Sequence, residues 1–372
     1  MRRVFVVVTV LGLAATGCGF SSVDPESTVS VSGRALDSSG KPLAHAKVLL
    51  IRQADIGQVI FGSILAVGTL SAICFAPHPP AICDKARTTT TDAEGRYRFA
   101  VKGSDTQGSL GTEATMNVVF SGGSAKSSTT VSFVAEDNTV DVPDARLWDL
   151  AAKVSGGPGG IAVSWHPLAA KAGSKTAYSA QLYDADRGAV LWTQPASGRR
   201  TVIDPRLLED RKGLVAVSAS TTLSGGTGAG KVRASYLSAR LPVGDTAGAP
   251  PSRGRPCAAV VESAPTKVDG PCAETDGDLG EPARLTAGAG KTVSGVVVDL
   301  GRARPISLVV ARGFSGQFLV ETSTDGTTFR SVATGFGQAY AVRPTGRPSA
   351  RYVRLRSPTG LDESLSSEVS IW

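Results

Sequence analysis

The chain has 372 residues and a formal net charge of +7; 19 % of its residues are charged, 41 % are hydrophobic and 43 are glycine. That length implies two or three domains, each able to bury a core of its own. The low charge and the many Gly, Ser, Thr and Val residues favour strands and turns, and no long helical periodicity is present.

The first element is an export signal. Arg2 and Arg3 precede an apolar run over residues 4–15, and Ala15-Thr16-Gly17 are small residues, as a cleavage site requires. The run is too short for a comfortable membrane span. Cys18 follows directly, and the five cysteines are an odd number, so one of them cannot pair within the molecule. The junction resembles the lipobox of bacterial lipoproteins, with Ala15 standing where Leu is usual. The resemblance implies cleavage after residue 17, acylation of Cys18, a tether over residues 18–28 and a location in the cell envelope, anchored to a membrane.

Four cysteines remain, in two close pairs. An exported chain meets oxidising conditions, so the simplest pairing is Cys74 with Cys83 and Cys257 with Cys272. Such loops contribute about 2.5 to 3 kcal/mol each in the chain-entropy account. A zinc reading of Cys74, His78 and Cys83 supplies only three ligands, and the disulfide is favoured.

Residues 29–144 form the first predicted unit. Two alternating stretches flank Ser38-Ser39-Gly40-Lys41-Pro42, a tight turn sits at Asp92-Ala93-Glu94-Gly95, and strands are expected near 115–121, 128–135 and 138–142. Gly33, Asp37, Gly40, Pro42, Leu43, Ala46, Val48, Thr91, Asp92, Gly95, Tyr97 and Phe99 carry a pattern that resembles the transthyretin-like fold of carboxypeptidase regulatory-like domains. The resemblance implies a spacer module without catalysis. An apolar insertion, 55–87, interrupts it, and residues 56–76 hold no charge. This stretch reads as a helix that covers the sandwich edge or lies on a bilayer.

Residues 145–243 resemble a fibronectin type III sandwich, with Trp165 on an early strand and Tyr-bearing strands after it. Residues 244–256, rich in Gly, Pro and Ser, read as a flexible linker.

Residues 257–372 carry the most specific pattern. Asp299-Leu300-Gly301, Ser323 with Asp325-Gly326 and Phe329, and Arg351-Tyr352-Val353-Arg354 follow in the order found in discoidin domains, also called factor V/VIII type C domains. These are jelly rolls found in adhesion proteins and as carbohydrate-binding modules. The chain is therefore expected to be all-β, with three β-sandwiches in tandem and the last a discoidin-like jelly roll. In sugar-binding relatives a calcium ion often braces one loop. The matching residues are Asp276, Asp278 and Glu368, and the alternative is a turn held by its own Asp side chains. Phe314, Phe336, Tyr340, Arg343 and Arg347 offer flat faces and charge to a sugar or acidic glycan, with plain packing as the other reading. Residues 301–372 hold nine Arg and no Lys against five acids. In an exported protein that charge suits anionic wall polymers, lipid headgroups or acidic glycans rather than nucleic acid, or a basic surface with no partner.

Catalytic patterns are missing. His45, His78 and His166 sit in unlike settings, with no nucleophile elbow or HExxH motif. GGTGAGKV, from Gly225, mimics a phosphate loop but ends in Val232, which cannot reach magnesium; LTAGAGKT has Leu285 where the first Gly should stand. The sequence thus predicts a non-catalytic, lipid-anchored envelope protein. It recognises a glycan or other exported ligand, or serves as a spacer that contacts other envelope proteins. Replacing Cys18→Ser should move the protein from the membrane fraction to the soluble one; detergent-dependent retention would assign anchoring to another segment.

Overall fold

The computed structural model describes residues 21–52, 86–108, 111–122, 127–148, 151–156, 159–168, 175–244, 247–261, 264–265, 272–278, 293–312, 317–336, 339–357 and 368–372. The export signal, Cys18, Cys74, Cys83, residues 55–85 of the insertion and Phe314 lie outside the described residues. Among those described there is no α-helix, only strands and single 3-10 turns.

The first unit contains β1 (Thr28–Leu36), β2 (Lys47–Arg52), β3 (Arg87–Thr90), β4 (Arg96–Lys102), β5 (Thr115–Ser121), β6 (Ser128–Val134), β7 (Thr139–Asp141) and β8 (Ala145–Arg146). The second contains β9 (Lys153–Ser155), β10 (Ile161–Ser164), β11 (Ala177–Asp184), β12 (Val190–Ala196), β13 (Arg200–Ile203), β14 (Gly213–Thr222), β15 (Arg233–Leu237) and β16 (Leu241–Val243). The third contains β17 (Cys257–Val261), β18 (Ala264–Pro265), β19 (Val293–Pro305), β20 (Val309–Arg312), β21 (Gln317–Ser323), β22 (Arg330–Phe336), β23 (Ala339–Val342), β24 (Ser349–Arg356) and β25 (Glu368–Ile371).

Strict alternation drives the first sandwich. Tyr97, Phe99 and Val101 of β4 are buried while Arg96, Arg98 and Ala100 are exposed, so the small sheet β4-β1-β7 turns one face onto Val48, Leu50, Val118 and Phe120. The Asp92–Gly95 turn forms as the sequence requires: Asp92 Oδ1 accepts from Glu94 N and Arg96 N, and Gly95 takes a φ of 75°. In the second unit Trp165 is buried, with its ring 5.8 Å from that of Tyr178.

The first two sandwiches share a sheet. It runs β12-β11-β14-β15-β6-β5-β2-β3, because β15 pairs antiparallel with β6 from Arg233↔Ser132 to Leu237↔Ser128. The hairpin joining β14 to β15 is embedded in the first unit. Glu136 N donates to Gly228 O at 2.9 Å, Asp141 N donates to Thr227 O at 2.8 Å, and Val232 belongs to the first core. The stretch that mimics a phosphate loop is therefore a packing element. Its glycines serve close approach: Gly228 has a φ of 64°, and a Cβ there would overlap the Thr139 carbonyl oxygen.

The third unit packs the sheet β18-β17-β19-β24-β21-β22 against β23-β20-β25. Val296, Val298, Leu300, Phe318, Val320, Val353 and Leu355 face Val309, Ala311, Val369 and Ile371. Cys257 and Cys272 form the expected disulfide, with Cα atoms 5.4 Å apart. The segment expected to be a flexible linker is packed instead. Ser252 is fully buried, donates to Val369 O and accepts from Ile371 N; Gly254 N donates to Thr275 O at 2.7 Å. Gly and Pro supply tight turns here rather than freedom. Substituting Gly228→Ala should lower stability by about 1–3 kcal/mol. In denaturant titrations of that variant, circular dichroism and tryptophan fluorescence should still report one shared transition, because one sheet runs through both units.

Candidate functional site

The short sheet of the third unit has two buried faces. Val309 and Ala311 point into the third core, whereas Leu308 and Val310 join the second unit's core with Leu207, Leu208 and Leu191, and Trp372 packs against it. The period of two along β20 therefore sends Arg312 to the second unit as well. Arg312 is buried, and its charge requires a partner there.

Glu209 is that partner. It follows the 3-10 turn Pro205–Leu207, is fully buried and holds a left-handed φ of 58°. Its Oε1 accepts from Arg312 Nη1 at 2.7 Å and from Ser370 Oγ at 2.6 Å. Its Oε2 accepts from Arg253 Nη2 and lies 2.9 Å from Arg211 Nη1. Arg312 also donates to Leu207 O at 2.8 Å. Burial raises the Glu209 pKa, but the charges of Arg312 and Arg211 and the Ser370 hydroxyl outweigh it and hold the carboxyl below its ordinary value.

The residues matched to a calcium loop lie beside this cluster. Gly277 N donates to Glu368 Oε2 at 2.9 Å, so the loop and the C-terminal glutamate do meet. Guanidinium groups fill the cationic role. Arg211 Nη2 donates to Gly277 O at 2.6 Å, Arg187 Nη1 donates to Asp278 Oδ1 at 2.6 Å, and Asp276 Oδ1 is turned back onto Asp278 N at 2.6 Å. The carboxylates of Asp276, Asp278 and Glu368 are not gathered on one point. In this arrangement the loop's acceptors are met by arginines and backbone N–H groups. Among the described residues one trio, Cys257, Cys272 and Glu274, brings three potential ligand atoms together, and its sulfurs are joined to each other. Glu368 is buried and Glu209 is nearby, so its pKa is pushed up to about 8 despite the Gly277 N–H, Arg253 and Arg211.

Of the five residues expected to bind ligand, Phe314 lies outside the described residues, and the other four fall towards two ends of the third sandwich. Phe336, ending β22, is opposite Gln317, and Tyr340 in β23 is opposite Ala311; β20 ends and β21 begins at that same end. β24 also ends there, with Arg356 opposite Leu319, and β25 begins there, with Glu368 opposite Arg312. The side chains of Phe336 and Tyr340 lie outside the described residues. Arg343 follows β23 at the other end, roughly 10 Å along the strand. It is held by Asp204 Oδ2 at 2.9 Å, so it docks the third unit on the second. Arg347 is exposed near it, in a turn with a φ of 47°. The strand direction of β23 therefore sets the backbone of these arginines apart from that of the aromatic residues.

Sequence reasoning missed Glu209, Arg312, Arg253 and Arg211. The one available signal is an Arg at the end of the apolar run SLVVAR, residues 307–312, with no acid in that run.

No family model matches the sequence, and no curated protein is similar to it. Solved structures do show similarity. SpGH29 is 16 % identical, over 33 % of this chain and 27 % of that one, with a TM-score of 0.26. A family 89 glycoside hydrolase from Clostridium perfringens is 16 % identical, over 34 % and 14 %, with a TM-score of 0.27. The module CBM32-1, from a family 31 glycoside hydrolase of Clostridium perfringens, is 15 % identical, over 33 % and 99 %, with a TM-score of 0.25. The chain thus spans about a quarter of the first of these proteins and less of the second. Several such neighbours are carbohydrate-binding modules carried by glycoside hydrolases.

Two outcomes follow from the buried charges. Glu209→Ala leaves Arg312 uncompensated and should cost about 3–5 kcal/mol in denaturant titrations. Glu368 has a folded pKa of about 8 against an ordinary 4.5, so the folded state holds the extra proton between these values. Its contribution to stability should therefore fall as pH rises through that window and stay low above it. Glu368→Gln should abolish this alkaline loss in melting curves recorded across the window; an unchanged profile would show that Glu368 is not its source.

Proposed function

We propose that this chain is a lipid-anchored, non-catalytic binding protein of the cell envelope whose third unit recognises a glycan or another exported ligand at one end of its sandwich. The reading is supported first by the strand ends that share one end of the sandwich, where β20 and β22 end, β21 and β23 begin, and the backbones of Phe336 and Tyr340 lie. Connections at the end of a rigid sandwich are where binding residues tend to lie. The discoidin pattern in the same unit supports it too. Its marked residues are fold residues: Asp299 accepts from Gly301 N and from Arg351, and Asp325 accepts from Thr327 N and Thr328 N. They build the scaffold and leave recognition to the connections.

A second reading is favoured by the shared sheet and the buried charge cluster. Three units fused this firmly suit a strut that sets a distance between envelope partners. A glycan array probed with the whole chain lacking its signal separates the two. We expect oligosaccharide binding that weakens at least about tenfold on Phe336→Ala, the scale of one truncated aromatic anchor. No binding to any glycan would favour the strut.

A further inference from the structure

The opposite end of the third unit is charged in a way that the glycan reading does not use. β19 bulges between Asp299, opposite Tyr352, and Arg304, opposite Ala350. The bulge carries Gly301, with a φ of 79°, and exposed Arg302. The Arg255 guanidinium lies over Gly301, with Nη1 2.9 Å from where a Cβ would stand. Arg304 Nη2 reaches Leu300 O at 3.4 Å, and its Nε is buried without a hydrogen-bond partner. Pro305 is opposite Ser349 and Ile306 N donates to Pro348 O, which brings the turn holding Arg347 alongside. Thr345 N donates to Val332 O, so exposed Arg330 begins the neighbouring strand.

The carboxylates described at this end are already committed. Asp299 binds Arg351 through both oxygens, at 2.9 and 2.8 Å, and its acidity is increased first by that contact. Asp325 accepts from Thr327 N, Thr328 N and Ser323 Oγ. Asp204 is shared by Arg206 and Arg343. A surplus of guanidinium charge remains around the bulge, without an enclosing cavity.

We propose that the arginines at the Gly301 bulge, with Arg302 and Arg347 as its exposed contacts, bind a linear polyanion bearing phosphate groups, at a second site distinct from the aromatic end. The planar fork of Arg matches two oxygens of a phosphate, which favours this anion. Each exposed contact is weak and screened by salt, so binding requires several charges at once, as a polymer supplies. A membrane surface fits less well. Among the described residues, the exposed large hydrophobic side chains are Val190 and Val202, both in the second unit, so none stands at the bulge to enter a bilayer.

Titration of the whole chain with inorganic polyphosphate, at low and at high salt, tests this. The expected result is binding that weakens at least about tenfold with salt and again, at low salt, with Arg302→Glu plus Arg347→Asp, while melting is unchanged. If that double variant does not fold, Arg302→Glu alone is compared. Binding unaffected by the substitutions overturns the proposal, as does binding to phosphatidylglycerol vesicles with none to polyphosphate. Neutral oligosaccharides and Phe336→Ala report on the other end, so each reading fails separately.

Discussion

The arrangement of this protein depends on one buried carboxylate. Glu209 has no contact with solvent, and three arginines from three segments converge on it: Arg211 beside it, Arg253 from the connecting segment and Arg312 from the third unit. A buried ion pair adds little net stability, because desolvating both charges offsets their attraction, whereas losing one partner is costly. Its effect is therefore on specificity. Other placements of the third unit leave Arg312 without a counter-charge, and the apolar contacts of Leu308 and Val310 alone do not discriminate between them.

Fixing that interface changes the meaning of the connecting segment and of the two ends. The third unit is docked through one face of β23-β20-β25, so the strand ends at Arg312, Gln317 and Phe336 hold a set position relative to the body. The arginine bulge holds another, at the far end of the same sandwich. The two proposed sites, one at each end of this sandwich, would then stand at a fixed spacing.

Much of the architecture was legible because it is local. Alternation along β4, the Asp92–Gly95 turn, the strands near 115 and 128 and the Cys257–Cys272 pair are encoded within a few residues of one another. The docking was not legible, for physical reasons. Arg312 and Glu209 lie 103 residues apart, and nothing near either one announces the other. The connecting segment misled because Gly, Pro and Ser serve flexible chains and tight packed turns equally well, and only Ser252, buried under β25, tells which. The arginine contacts of the acidic loop were not legible either, because carboxylates that suit calcium also suit arginine, and Arg211 and Arg187 come from the second unit. Tyr340 lies in β23 and Arg343 just after it, so the strand direction carries Arg343 towards Asp204, a contact that nearness in sequence does not announce.

The central claim is that the third unit is docked and not tethered, and hydrogen exchange across the connecting segment tests it most directly. Ala247 N donates to Glu209 O, Gly254 N to Thr275 O and Ile371 N to Ser252 Oγ. These amides should exchange as slowly as those of β19 and β24, opening only when the body unfolds. Exchange at the rate of an unstructured chain would contradict the account, leaving three units joined by a leash.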